Sequence, residues 1–306
     1  AETAETQTLA AAAHFINTHQ EELRAIIKSG TSYAAAQSTL LQNAGFTFAA
    51  AEANDILALE YCRCLQKYAP QIAPLVIRRC GAGYNSSDIS AEYASASGIR
   101  TEYAAAGLSG RILKQIPECS HKLLETLHSL NLLGWNTEKL DALVLYKLCM
   151  LTEQQIAAAC ECTEGLEHRL KAAAAFPDMQ SVVSSVSSKR YTKSRIRRLL
   201  MQLLLGNDKT IFTEAKPQYL RVLAFNSRGR SLLAQMRKTA SLPVITKIGR
   251  NFKNCLTGDT AKDELIIRQL QMDINAANLL ALLQNRSQNY CQIYNSDFLM
   301  QPFQQA

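Results

Sequence analysis

Several things are scarce in this chain, and each scarcity closes off a class of protein. No apolar run approaches ~20 residues without an intervening Lys, Arg, Asp or Glu, so nothing reads as a membrane span. Glycine (13) and proline (7) are few, while hydrophobic residues make up 47% and charged residues 19%, which excludes collagen-like and disordered chains. Nine cysteines are present, but the paired C-x₂₋₄-C spacing of a structural zinc site is missing. Cys62 and Cys64, like Cys160 and Cys162, form a C-x-C with one residue between them, and Cys80, Cys119, Cys149, Cys255 and Cys291 are scattered. Their odd number and helical, apolar context predict reduced core thiols in a cytoplasmic protein. The five histidines form no H-x-x-x-H pair, so no metal site is expected. Walker-type loops, G-x-S-x-G and Cys/His dyads are also missing, and the polar, acidic opening AETAETQ is unlike a signal peptide.

What remains is 306 residues with a net charge of +7, long enough for about two domains and mildly basic. Apolar residues at three- and four-residue steps predict helices over 9–29, 32–43, 49–68 and 94–107. Between them, Leu75-Val76-Ile77 reads as a buried strand ending at Arg78, Arg79 and the glycine turn Gly81–Tyr84. From Arg111 to about Leu205 the pattern is helical almost throughout. Beyond Asn207 the texture changes, with short strands predicted at 219–223 and 242–245 around a helix over 229–236, then a last long helix over 261–284. The fold class expected is α/β and predominantly helical.

Three motifs carry candidate chemistry. In Tyr93-Ala-Ser-Ala-Ser-Gly-Ile-Arg100, hydroxyls sit at a helix entrance with an arginine one turn in. Free N–H groups and the positive dipole end there favour phosphate, with Ser95, Ser97 and Arg100 as side-chain donors. The plain alternative is an N-cap. Arg79 with its glycine turn is the second, since a strand feeding such a turn lets backbone approach a ligand; a tight turn alone explains it as well. Asn54, ahead of an apolar helical run, is an N-cap or, in that company, a nucleotide partner. The third is Lys189-Arg-Tyr-Thr-Lys193-Ser-Arg195-Ile-Arg197-Arg198, six basic residues in ten and no acid. Lys189, Arg190, Lys193, Arg195, Arg197 and Arg198 fit backbone contact to nucleic acid, against the alternative of a solvated face. Arg221, Arg228, Arg230, Arg237 and Lys238 could extend the same surface. Glu164 to Arg169 reads as a local ion-pair network.

Taken together, eight ordered stretches resemble the tRNA(Met) cytidine acetate ligases, a family of HIGH-type nucleotidyltransferases. They are SGTSYAAA (Ser29–Ala36), ANDILALEY (Ala53–Tyr61), IRRCGAGYN (Ile77–Asn85), YASASGIR (Tyr93–Arg100), EGLEHRL (Glu164–Leu170), SSKRYTKSRIRRLL (Ser187–Leu200), YLRVLAFNSRGRSLL (Tyr219–Leu233) and SLPVITK (Ser241–Lys247). The sequence departs from the family at Ala34, Asp55 and Asn85, where Pro, Asn and His are usual.

The resemblance implies an enzyme that uses ATP, with Mg²⁺, to activate acetate as acetyl-adenylate. It would then acetylate N4 of the wobble cytidine of elongator tRNA(Met). Asn54, Arg79, Ser95, Ser97 and Arg100 would bind ATP, and the basic run would face tRNA. Residues 1–108 would be the remainder of a nucleotidyltransferase-like Rossmann domain, 109–206 a helical tRNA-binding region and 207–306 a small mixed α/β region. The family's first phosphate motif, a His-x-Gly-His element, has no counterpart here, so the chain is expected to be a fragment of the ligase. The alternative is a non-catalytic RNA-binding module with a relic nucleotide pocket.

Overall fold

The computed structural model describes residues 5–46, 53–83, 86–213, 216–249, 256–284 and 294–304. Tyr84, Asn85, Cys255 and Cys291 lie outside them. The chain divides into two compact units, residues 1–126 with 188–192, and residues 127–187 with 193–306.

The first unit contains α1 (Thr6–Thr18), α2 (Gln20–Lys28), α3 (Tyr33–Asn43), α4 (Ala53–Tyr68), α5 (Ala96–Ala106) and α6 (Gly110–Lys114), and α7 (His121–Ser129) runs across its boundary. The single helix expected over 9–29 is broken at His19, whose backbone leaves the helical region (φ −109°, ψ 42°). Its ring stacks on Phe15 at 3.9 Å, and Nδ1 lies 2.8 Å from the Phe15 carbonyl. α2 then restarts with Glu21 and Glu22 in its first turn, where the helix dipole favours acids.

Leu9, Ala12, Ala13 and Ile16 of α1 pack with Leu40 and Leu41 of α3 and Leu59 and Cys62 of α4 in one buried cluster. The two alanines keep the α1 surface low where α4 crosses it. Arg63 ties the same three helices by polar contacts. Its guanidinium donates to Asn17 Oδ1 at 3.1 Å, Tyr33 Oη at 2.5 Å and Glu60 Oε1 at 2.7 Å.

The expected buried strand at 75–77 is corrected by the structure. The run is extended but pairs with no strand among the described residues, and Leu75 and Ile77 are 86% and 77% exposed. Extended chain sends alternate side chains to opposite faces, so only Val76 turns onto the α1–α4 cluster.

In the second unit, α8 (Thr137–Met150), α9 (Glu153–Ala157), α10 (Leu166–Ala173), α11 (Met179–Val186) and α12 (Lys193–Leu205) form a helical bundle. Its buried faces include Val144, Leu148, Leu170, Val183, Ile196, Leu199 and Leu200. Lys171 closes the end of α8, its Nζ donating to the carbonyls of Leu148, Cys149 and Leu151 at 2.7–3.1 Å. After α13 (Lys209–Thr213) come β1 (Leu220–Arg221), β2 (Ala224–Phe225), α14 (Ser227–Thr239), β3 (Val244–Ile245), α15 (Thr260–Leu283) and β4 (Phe303–Gln304). β1 pairs in parallel with β3, and β2 in parallel with β4. Ile245, Ile248, Leu270 and Ile274 bury the β1–β3 pair against α15.

A second correction concerns the thiols. All seven described cysteines are free, but only Cys62 and Cys162 are buried, and Cys64, Cys80, Cys119 and Cys149 are exposed. In α4, Cys62 and Cys64 are two residues apart and so cannot share a helix face.

Candidate nucleotide and nucleic-acid sites

α5 is held by its entrance. Ser95 is fully buried and caps the helix; its Oγ accepts the Gly98 N–H at 2.9 Å and donates to the Ser86 carbonyl. The hydroxyl proton is thereby committed to the fold, and Ser95 shapes the helix end while having none left for a ligand. Gly98 lies against the 86–88 backbone, where an added Cβ would come within 3.2 Å of the Asp88 carbonyl. Gln115, just past α6, stitches the preceding loop. Its amide group donates to the carbonyls of Ile89 and Ala91, and its carbonyl accepts from the Ala94 N–H at 2.7 Å. Nothing local in the sequence announces that role. Ser97 is half-buried and Arg100 exposed, and neither makes a hydrogen bond or ion pair among the described residues. The entrance therefore keeps an open hydroxyl and an open guanidinium beside unbonded N–H groups of the first turn.

The turn after Arg79 packs on this entrance. Gly81 has φ +90°, and an added Cβ would sit 2.5 Å from the Tyr93 carbonyl, which accepts the Ala82 N–H at 2.9 Å. Only glycine fits there. Arg79 is half-buried, its Nε donating to the Ala82 carbonyl at 3.3 Å, so the side chain folds along its own turn. Asn54 lies inside the first turn of α4 and not at its cap, since α4 begins at Ala53. It lines a hollow of about 230 Å³ with Leu57 and Tyr61 of α4 and with Leu75 and Ile77. Asp55 beside it is fully buried in the same turn, facing the positive helix end. The structure thus links Asn54 to the 75–77 run, that run to the Arg79 turn, and the turn to the start of α5. All of this belongs to the first unit.

The basic run has two kinds of members. Lys189 and Arg190 are exposed in the turn before α12, the Arg190 guanidinium 5.9 Å from the ring centre of buried Tyr191. Within α12, Ile196, Leu199, Leu200 and Leu203 are buried while Lys193, Arg197 and Arg198 are exposed. The sequence has no acid in this run, but the fold supplies one. Arg198 grips Glu161 with both fork nitrogens at 3.0 and 3.2 Å, and Arg195 donates to the Glu161 carbonyl at 2.9 Å and to Thr163 at 3.3 Å. Glu161 itself sits in the left-handed region (φ 64°). Arg197 reaches Gln180 at 2.7 Å. Arg195 and Arg198 therefore fasten α12 to the 161–163 turn, leaving Lys193 and Arg197 to present charge outward.

At the Glu164–Arg169 stretch, His168 is exposed and lies between Glu153 (3.0 Å) and Glu167 (3.6 Å). Burial, with the Glu167 charge, pushes the nearby Cys162 thiol up to about 11. No group of three His, Cys, Asp or Glu among the described residues is placed to hold a metal ion, and no described helix is long and apolar enough to cross a membrane.

Comparison with known proteins matches residues 1–294 to a family model described as HIGH Nucleotidyl Transferase. The tRNA(Met) cytidine acetate ligase of Thermoanaerobacter is 34% identical over 238 residues, covering 76% of this chain and 59% of the relative. The ligase of Acetivibrio thermocellus is 29% identical over 273 residues, covering 85% and 64%. The chain thus spans about three fifths of the length of these curated relatives. Among solved structures, Thermotoga maritima TmcAL superimposes with a TM-score of 0.84 at 23% identity, over 99% of this chain and 75% of the other. The same protein bound with alpha-thio ATP gives 0.82. At that identity the likeness establishes the fold, α/β and mostly helical.

Proposed function

Because the chain belongs to the HIGH nucleotidyl transferase family, we propose that it carries the ATP-binding and tRNA-facing parts of a tRNA(Met) cytidine acetate ligase. An acetate oxygen attacks the α-phosphorus of ATP, giving acetyl-adenylate and pyrophosphate. The N4 amine of the wobble cytidine in elongator tRNA(Met) then attacks the acetyl carbonyl, loses a proton and releases AMP. In this reading residues 1–108 serve ATP, 109–206 contain the tRNA-facing helix and 207–306 form a small mixed region, all working in the cytoplasm.

The observation that carries this reading is the open entrance of α5 beside the Arg79 turn. Charge builds on the phosphates as acetate attacks, and fixed donors aimed there are typically worth about 3–4 kcal/mol each. The first-turn N–H groups, Ser97 and Arg100 supply such donors, Arg79 adds a second guanidinium, and Ser95 holds the helix end in place. Asn54 and the apolar hollow between α4 and the 75–77 run suit the nucleoside. Mg²⁺ accompanies the triphosphate as part of the substrate. On the RNA side, Lys189, Arg190, Lys193 and Arg197 make phosphate contacts, with Arg195 and Arg198 supporting them through Glu161.

Calorimetric titration with ATP tests the nucleotide site. Arg100→Ala is expected to weaken binding about tenfold or more while the fold is retained, since the side chain is exposed and makes no hydrogen bond or ion pair among the described residues. Equal affinity in the variant and the parent protein would overturn the phosphate role. Mass spectrometry of tRNA(Met) after incubation with acetate and ATP reads the complete activity. Bound tRNA without acetylation would favour the RNA-binding module over the ligase.

A further inference from the structure

A second cationic site lies far along the sequence from the α5 entrance, in the second unit. β1 and β3 run parallel, and the residues that follow them, Val222-Leu223 and Thr246-Lys247, line a hollow of about 200 Å³ at their carboxyl ends. Two neighbouring hollows, of about 590 and 360 Å³, share Thr246 and Lys247 with it, and both are also lined by Arg237 of α14. Arg230, one helical face along α14, lines the last of them. Carboxyl ends of parallel strands are where open α/β sheets receive ligands.

Charge here is unbalanced. No Asp or Glu lines any of the three hollows among the described residues. Arg221 is already matched, by Asp297 at 2.6 Å and Asp273 at 3.7 Å. Lys247, which is half-buried, and Arg237, which is exposed, make no ion pair or hydrogen bond among the described residues. Among the described residues Arg230 has only the neutral Gln304 amide oxygen, at 3.0 Å. Partly burying an ammonium without a counter-charge is costly, and an arriving anion offsets that cost. The walls add a second property, because Leu223, Met300 and Pro302 give the hollow at the strand ends a mostly apolar surface. Cations beside apolar walls suit a phosphodiester with an unstacked base, the combination found in single-strand RNA sites.

We propose that the carboxyl ends of β1 and β3 form a second RNA site, in which Lys247, Arg237 and Arg230 hold phosphates of an unpaired strand and Leu223, Met300 and Pro302 receive a base. The inference rests on the tRNA reading above, and adds to α12 a distinct contact for an unpaired segment of the same RNA.

Fluorescence anisotropy with a 5′-labelled decauridylate, over about 50–200 mM salt, tests it on the full chain. The parent protein is expected to bind, and the double variant Lys247→Gln/Arg237→Gln to lose about 1.4 from the slope of log K against log salt, at roughly 0.7 per phosphate contact. The charge-preserving Lys247→Arg/Arg237→Lys pair should restore most of the affinity, which separates charge from a folding defect. Unchanged affinity and slope in the Gln variant, or no decauridylate binding by the parent, overturns the proposal. Parallel titrations with tRNA(Met) isolate the reading beneath it. If tRNA binding depends on Lys193 and Arg197 but not on Lys247 and Arg237, the second site fails while the tRNA reading stands. If decauridylate binds through Lys247 but tRNA(Met) is not bound, the reading fails and the site survives.

Discussion

Ser95 uses its hydroxyl twice, and that fixes what its loss would do. Its oxygen accepts the Gly98 N–H and its proton goes to the Ser86 carbonyl, so Ser95→Ala removes a cap worth ~0.5–2 kcal/mol. It also strands a half-buried carbonyl, a penalty of about 1–3 kcal/mol. Urea unfolding should therefore show Ser95→Ala destabilised by about 2–3 kcal/mol. Ser97→Ala should stay within ~0.5 kcal/mol, because the Ser97 hydroxyl has no partner among the described residues. Two serines two residues apart look alike in sequence, and only the fold divides structural cap from open donor. A small effect for Ser95, or an equal effect for both, would return the hydroxyl of Ser95 to the list of ligand donors.

At the scale of elements, α9 and α10 meet through an exposed imidazole. Glu153, at the start of α9, accepts from His168 Nδ1 at 3.0 Å, and this hydrogen bond, followed by the Glu153 charge, raises the imidazole above its ordinary 6.5. A raised histidine contributes stability that is complete below the ordinary value and is lost as pH rises through the folded one. Because the pair is exposed, the effect on stability is small, so the informative readout is local. An NMR titration of His168 should give a midpoint above 6.5, returning to the ordinary value in Glu153→Gln. A midpoint unmoved by that change would remove the contact between the two elements.

The same scale shows what the sequence could and could not disclose. Helices were legible because apolar residues recur at 3.6-residue spacing, and the Ser95–Arg100 motif because its hydroxyls stand at a helix entrance. The caps Ser32, Asn136, Asp178 and Asp259 emerge only with the structure. Pairings between distant segments were not. β4 is two residues at the far end of the chain, brought to β2 after Asn295 exchanges hydrogen bonds of 2.9 and 2.8 Å with Asn278 of α15. Glu161 is 34 residues from Arg195, so an apparently uncompensated basic run was compensated through space. Lys247 shows the reverse case, a lysine at the end of the SLPVITK stretch that the fold leaves without a counter-charge among the described residues.

For the whole molecule, a surplus of +7 is too small to define an anionic partner, and what matters is how the open cations are distributed. Arg100 belongs to the first unit, and Lys193 and Arg197 to the second. If these serve nucleotide and RNA respectively, the two functions should separate by mutation. ATP at ten times its dissociation constant stabilises the folded state by RT ln 11, about 1.4 kcal/mol, which a thermal shift detects. Arg100→Ala should cut that stabilisation to about 0.4 kcal/mol or less, while tRNA affinity and its salt slope remain those of the parent. Lys193→Gln/Arg197→Gln should keep the shift while flattening the salt slope by up to about 2, one for each lost phosphate contact. These two are better probes than Arg195 or Arg198, whose removal would also release Glu161 and loosen α12. Loss of both ligands in either variant would show that one surface serves both, and the division of labour between the units would have to be abandoned.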